Sequence, residues 1–303
     1  MIWVFYTFLA MFFSTLENIL DKAIVSKHET HLDSLVASFY RNFLFWIFAI
    51  IGGFIGIFGE LHFFLTPLLV LTGIFWVFSS IIYDYFLKNI EVSRFAGLTY
   101  IFPLLLIFLD TLYFKESFSL WEIIGIFFLV LGATSLSLNF SENKIKQIFS
   151  KKVWLYFFIS FFIGAIKYGL FKYYFNAGLI NEISFYASVW LITCSTFILA
   201  IFALKKQHLL IPIAKYDNYL AKTSVSKFFD FLGSIFFLKA ISTASLTSVH
   251  ALSSVSPFML LILVFILQKF GLNLDEDVSH HSLFIKIFAV ILLCSGGMFL
   301  TLF

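Results

Sequence analysis

Carboxylates, amines and an imidazole recur inside segments of this chain that are otherwise apolar, and they define the chemistry open to it. Glu17 and Asp21 stand four apart within Ile2–Val25, on one face of any helix they share. Lys167 lies 150 residues after Glu17, at the matching place of a second apolar stretch, with Tyr168 beside it. A carboxylate and an ammonium meeting in an interior can hold a zwitterion or a proton. They can equally be an ion pair that locks two halves together, since a buried pair is poor evidence for either role. Arg41 sits about three turns into Leu32–Phe58, where its planar fork suits an anionic group or a carboxylate. Tyr83, Asp84 and Tyr85 close Leu65–Leu87, and Asp230 comes early in Val225–Ile241. His250, Ser254 and Pro257 follow one another at i, i+4 and i+7, on one helical face. The equivalent face upstream is Ala96, Tyr100 and Pro103. An imidazole inside a membrane can bind a ligand or relay protons, or simply bond one helix to another.

Each of these charges costs about 2.5–3.5 kcal/mol at the centre of a membrane helix, so each must face protein or water. Other polar residues have plainer readings. Lys22 and Lys172 lie about a turn from their helix ends, where a lysine snorkels to the interface. Asp110 and Glu122 suit helix ends flanking Lys115-Glu116. The Ser and Thr residues between Ser234 and Ser256 suit close helix packing. Trp46, Trp76, Trp154 and Trp190 are either interfacial belt residues or cavity walls. The run Asp275-Glu276-Asp277 with His280-His281 reads as a solvated loop rather than a metal site, because adjacent histidines rarely share a face. No Walker A, G-x-S-x-G or H-E-x-x-H motif occurs, so neither an enzyme nor a cofactor is expected.

The elements that must carry these residues are membrane spans. Hydrophobic residues make up 61% of the 303 and charged ones 12%, about half the share in a soluble domain. The 45 Phe suit lipid-facing surfaces. A net charge of +3 is too small and dispersed to imply nucleic acid. At about 20 apolar residues per span, the chain divides into ten: Ile2–Val25, Leu32–Phe58, Leu65–Leu87, Ser93–Tyr113, Leu120–Phe140, Val153–Phe175, Ile183–Leu204, Val225–Ile241, Leu246–Gln268 and Ser282–Phe303. Span eight is short for its position, a weak sign that it lines a cavity. The link Lys205 to Ser224 has room for a helix lying on the membrane surface.

The chain also says the same thing twice. Phe86-Leu-Lys-Asn-Ile90, Pro103, Lys115-Glu116, Gly125 and Gly132 are echoed by Phe237-Leu-Lys-Ala-Ile241, Pro257, a charged loop and Gly296-Gly297. Phe12, Leu20 and Lys22 match Phe162, Leu170 and Lys172 at one constant offset. Residues 1–140 and 153–303 therefore read as two repeats of five spans. An odd number of spans inserts the second copy upside down relative to the first. Thirteen Lys and Arg follow the odd-numbered spans, Lys227 among them, and that count places both termini outside.

Ala37-Ser38-Phe39-Tyr40-Arg41, Leu87-Lys88-Asn89-Ile90, Pro103, Lys115-Glu116 and the glycines of span five together resemble the drug/metabolite transporter superfamily, in its ten-helix EamA type. The resemblance runs the whole length. It implies an all-α polytopic membrane protein of two inverted bundles, a central substrate cavity and alternating access. It also implies cytoplasmic termini, against the basic-residue count. The second half lacks a Glu at the place of Glu116. On this reading the chain moves a small polar metabolite, zwitterionic such as an amino acid. Glu17, Asp21, Arg41, Tyr83, Asp84, Tyr100, Lys167, Tyr168, Trp190, Asp230, His250 and Ser254 would be the substrate-binding set, and Pro103 and Pro257 the hinges. An organic cation held among Tyr and Trp faces is the alternative substrate, and a lipid flippase or lipid-modifying enzyme the alternative class. The partners are then a small solute, the bilayer of a bacterial inner membrane and a coupling proton, with the protein a monomer or homodimer.

Overall fold

A computed structural model of the chain describes residues 2–28, 39, 42–43, 46–47, 67–89, 102–137, 151–178, 182–205, 219–269 and 283–302. All regular structure among them is helical: α1 (Ile2–His28), α2 (Pro67–Asn89), α3 (Phe102–Leu112), α4 (Leu120–Ser137), α5 (Lys151–Asn176), α6 (Glu182–Ala203), α7 (Tyr219–Ile241), α8 (Leu246–Ser253), α9 (Ser256–Lys269) and α10 (Leu283–Leu302). These match the expected spans in order, except that most of span two and the first part of span four lie outside the described residues. So do the loops 141–150 and 206–218 and the acidic run at 275–281. Among the described residues, three stretches are long and apolar enough to cross a bilayer by length and composition alone: Ile2–Ile24, Phe185–Ala203 and Leu246–Val264. Phe5, Phe78, Phe127, Phe162, Leu199 and Phe288 turn outward and are more than half exposed, as a lipid-facing surface requires. Not all the phenylalanines do so. Phe171, Phe185 and Phe197 are fully buried.

Two expected spans are corrected. Span eight is not short: α7 begins at Tyr219, so Lys227 lies inside a helix of 23 residues and is buried rather than in a basic loop. Span nine is not continuous. Pro257 has no N–H for the Ser253 carbonyl, and its ring crowds that carbonyl. The helix stops at Ser253, Ser254 and Val255 make tighter bonds to Ala251 and Leu252 (3.0 and 3.1 Å), and α9 starts again at Ser256.

Contacts give the helix directions. Trp121 stacks on Phe299 at one end of the α4/α10 crossing, and Gly132 meets Ala289 at the other, so the two helices run antiparallel. Helices α1 and α7 are antiparallel as well, with Tyr6 against Phe236 and Glu17 against Lys227. Helices α3 and α5 run parallel, since Phe102 meets Gly164 and Leu109 meets Gly169. Odd-numbered and even-numbered spans are arranged as a chain reversing at each connection would arrange them.

The α4/α10 crossing is reciprocal. A Cβ on Gly125 would fall 2.9 Å from the Gly296 carbonyl, and one on Gly296 would fall 2.7 Å from the Gly125 carbonyl and 2.7 Å from the Leu129 nitrogen. The obstacles are backbone, which cannot rotate away. Small residues of this kind let membrane helices approach closely where the hydrophobic effect offers nothing. Replacing Gly296 by Val should therefore abolish recovery of monodisperse protein in detergent. Gly297→Ala, one residue on with nothing within 4 Å of the new methyl, should be recovered at the normal yield.

Candidate functional site

Among the described residues the buried charges gather into three clusters, each joining helices that are distant in sequence. The first lies between α1 and α7. Its geometry starts at Gly233, where a Cβ would fall 2.7 Å from Ser14 Oγ and 3.3 Å from the Ala10 carbonyl, so only a bare backbone lets α7 lie this close to α1. Antiparallel packing then carries Glu17, one turn beyond Ser14, to Lys227. The Lys227 ammonium lies 2.6 Å from Glu17 Oε1, 3.5 Å from Asp230 Oδ2 and 3.8 Å from Asp21 Oδ2. Ser226 donates to Asp21 Oδ1, and Ser234 donates to Asp230 Oδ1 at 3.3 Å. Three carboxylates thus share one ammonium, with side chains 15% exposed or less.

Glu17 meets Lys227, then, and not Lys167. A helical face fixes which way a residue points but not which helix stands opposite, and that is why the repeat alone named the wrong lysine. Lys167 is buried at the second cluster, on α5. Its Nζ lies 4.4 Å from the centre of the Trp76 ring and 4.5 Å from that of Tyr168. Both lie well within the distance at which a cation is drawn to a ring face. Trp76 continues into Trp190 (5.9 Å between rings), Tyr186 (6.2 Å) and Phe171 (6.3 Å). Tyr186 and Trp190 are nearly inaccessible, so Trp76 and Trp190 are interior walls and not belt residues. Tyr186 also touches Phe231 of α7 (5.4 Å), one residue past Asp230, which brings the aromatic wall up to the first cluster.

His250 extends that wall on the other side. Tyr168 (4.3 Å), Phe237 (4.8 Å) and Phe102 (5.0 Å) surround its ring edge to face. Its Nε2 is buried with no hydrogen-bond partner among the described residues. Ser254, one turn on, is fully buried and donates to the His250 carbonyl at 3.4 Å, where α8 ends.

The third cluster corrects the snorkelling lysine. Lys172 is only 3% exposed. It lies 2.7 Å from Glu116 Oε1 and 3.5 Å from Asp110 Oδ1, with the Phe114 ring 5.2 Å away. Asp110 is fully buried, and its Oδ2 accepts from the Thr247 backbone N–H (2.7 Å) and hydroxyl (2.8 Å). Those donors belong to the first turn of α8, whose N-cap is Ser245, so a carboxylate sits where a helix N-terminus favours one. The turn after α3 takes Lys115 into the left-handed region (φ 61°) and brings Glu116 back over Lys172. Burial of Lys172 depends on that returning loop, which a distance from the helix end does not reveal. Glu122 does sit at a helix end, in a reciprocal capping box with Ser119 (2.7 and 3.2 Å).

Of the residues singled out by sequence, Glu17, Asp21 and Asp230 come together, and so do Lys167, Tyr168, Trp190 and His250. Pro103 is buried in the first turn of α3, as Pro257 is in that of α9. Tyr83 and Asp84 lie toward the end of α2, and Arg41 and Tyr100 are outside the described residues. Sequence reasoning missed Lys227, Tyr186, Phe102 and Phe237. Lys227 did carry a signal, standing three residues before Asp230 on an otherwise Phe-rich helix.

Described residues whose regular structure is all helical, with apolar outer faces and ionic clusters enclosed between distant helices, are those of an integral membrane protein. Comparison with known proteins agrees. Residues 1–138 match the EamA-like transporter family. The match spans somewhat under half of the 303 residues, and the matched family is part of the drug/metabolite transporter superfamily. The family consists of membrane transporters of small solutes rather than enzymes. A solved crystal structure, described only as that of a protein, is similar over 98% of this chain and 97% of its own, at a TM-score of 0.65 and 14% sequence identity. The two chains share a fold over nearly their whole length. No curated protein matches the sequence.

Proposed function

We propose that this protein is a secondary transporter of a small zwitterionic solute, such as an amino acid. It works by alternating access between two inverted five-helix repeats, residues 1–140 and 153–303. One observation carries the reading. Glu17 and Lys167 stand at an offset of 150, while Trp76 and Lys227 stand at 151, the offset of the Phe86-Leu-Lys and Phe237-Leu-Lys motifs. Yet the contacts are Glu17 with Lys227 and Lys167 with Trp76. Equivalent positions therefore make equivalent contacts, α1 with α7 in one case and α5 with α2 in the other. A pseudo-two-fold axis relating the halves accounts for this, and for the reciprocal approach of Gly125 and Gly296.

The two contacts differ in charge. On one side three carboxylates surround an ammonium, and on the other an ammonium rests on rings with no carboxylate of the described residues beside it. An amine is complementary to the first and a carboxylate to the second, with the Tyr186 and Phe231 rings bridging them. The carboxylates also suit a coupling proton, and Pro257 and the break at Ser254 supply a place for the span to bend.

Purified protein in proteoliposomes, loaded with a panel of labelled amino acids, amines and carboxylic acids, tests this directly. Exchange confined to solutes carrying both charges is expected, with single-charge analogues at least about tenfold slower, the worth of roughly one lost ionic contact. Equal exchange of simple amines would remove the zwitterion reading.

A further inference from the structure

The Lys167 ammonium stands over two aromatic rings, those of Trp76 and Tyr168. Stacked and edge-on aromatic faces around one positive charge form the cage by which proteins recognise quaternary ammonium compounds. Here Trp76 and Tyr168 supply two such faces at 4.4 and 4.5 Å, and Trp190 and Tyr186 back the first of them. The occupant is the protein's own ammonium, 8% exposed. It forms no ion pair with any carboxylate of the described residues, unlike Lys172 and Lys227, each of which touches at least two. A buried lysine is expensive unless paired, so this one is retained for something other than a helix-to-helix bond.

We propose that Lys167 is the specificity-determining residue of the site. By filling the aromatic cage it shuts out organic cations, and by lacking a carboxylate partner it keeps an ammonium in reserve for the anionic group of the solute. Rings attract a cation less strongly than a carboxylate does, so an arriving carboxylate draws the ammonium off Trp76 and Tyr168 without first breaking an ion pair. The His250 ring packs 4.3 Å from that of Tyr168, and its Nε2, with no hydrogen-bond partner among the described residues, would donate to that anion in the tautomer that carries its hydrogen there. This rests on the transporter reading for its purpose. The cage itself does not, and it is tested by binding alone.

Lys167→Ala and Lys167→Ser empty the cage, Lys167→Arg keeps it filled, and Lys167→Ala with Trp76→Leu removes a wall. Each is purified in detergent, checked for monodisperse elution and titrated with tetramethylammonium by calorimetry. The small variants should bind tetramethylammonium at least about tenfold more tightly than the unaltered protein. Lys167→Arg should bind no better than the unaltered protein, and the Trp76→Leu change should reverse the gain. A folded Ala or Ser variant that binds no more tightly than the unaltered protein overturns the proposal. So does failure of both small variants to fold while Lys167→Arg folds, because the lysine would then be holding the scaffold and not reserving the cage. Neither result bears on whether zwitterions are exchanged by the unaltered protein, so the two readings fail separately.

Discussion

Replacing Lys227 by Met should destabilise the protein by about 3–5 kcal/mol, the usual cost of removing one partner of a buried ion pair. The arrangement makes the two sides of the pair unequal. Without Lys227, Glu17, Asp21 and Asp230 lose an ammonium that all three approach within 4 Å. Without the Glu17 charge, Lys227 keeps Asp230 at 3.5 Å and Asp21 at 3.8 Å. Glu17→Gln should therefore fold at near-normal yield, with an apparent Tm in detergent within a few degrees of the unaltered protein. It should nonetheless lower transport by roughly a hundredfold, if Glu17 receives the amine of the solute. The double variant Glu17→Gln/Lys227→Met should recover part of the lost stability and stay inactive. A purely structural pair would behave differently, with activity following folded yield in all three variants. Full transport by well-folded Glu17→Gln would end the role assigned to this carboxylate.

A loss of similar size is expected at the third cluster. Lys172→Met leaves Asp110, which has no exposed surface, with two hydrogen bonds from Thr247 and no counter-charge among the described residues. The expected cost is again about 3–5 kcal/mol, read as a fall in apparent Tm in detergent. Asp110→Asn alone should be milder. Its amide oxygen can still accept from Thr247, and Lys172 keeps Glu116 at 2.7 Å. Lys172→Met combined with Asp110→Asn removes both charges and should regain most of the difference. A lysine snorkelling to the membrane surface would give a different result, with Lys172→Met changing stability by no more than a few tenths of a kcal/mol. The comparison thus measures whether the loop returning through Lys115 really encloses this charge. It also probes α8, because Asp110 holds the N-terminus of that half-helix while the break at Ser254 frees its other end.

Much of this could be read from residue order. Apolar runs of span length are a requirement of the bilayer, which satisfies no backbone group, so helices follow from composition. Charges deep in such runs must be enclosed, which marked Glu17, Asp21, Lys167, Asp230 and His250 before any neighbour was known. Pro257 lacks an N–H wherever it stands, so a disturbed helix just before it was legible too.

What residue order alone left undecided was the identity of partners. The repeat paired Glu17 with Lys167 and left Lys227 to a basic loop. The choice was made by Gly233, whose bare backbone lets α7 lie against Ala10 and Ser14 of α1. Lys172 looked superficial by its distance from a helix end, and only the turn at Lys115 and the first turn of α8 bury it. Trp76 belonged equally to a belt or a wall until α5 and α6 closed around it. Periodicity sets the direction of a side chain on its own helix. Which surface that side chain meets depends on where helices can approach, and small residues on two distant segments settle that jointly.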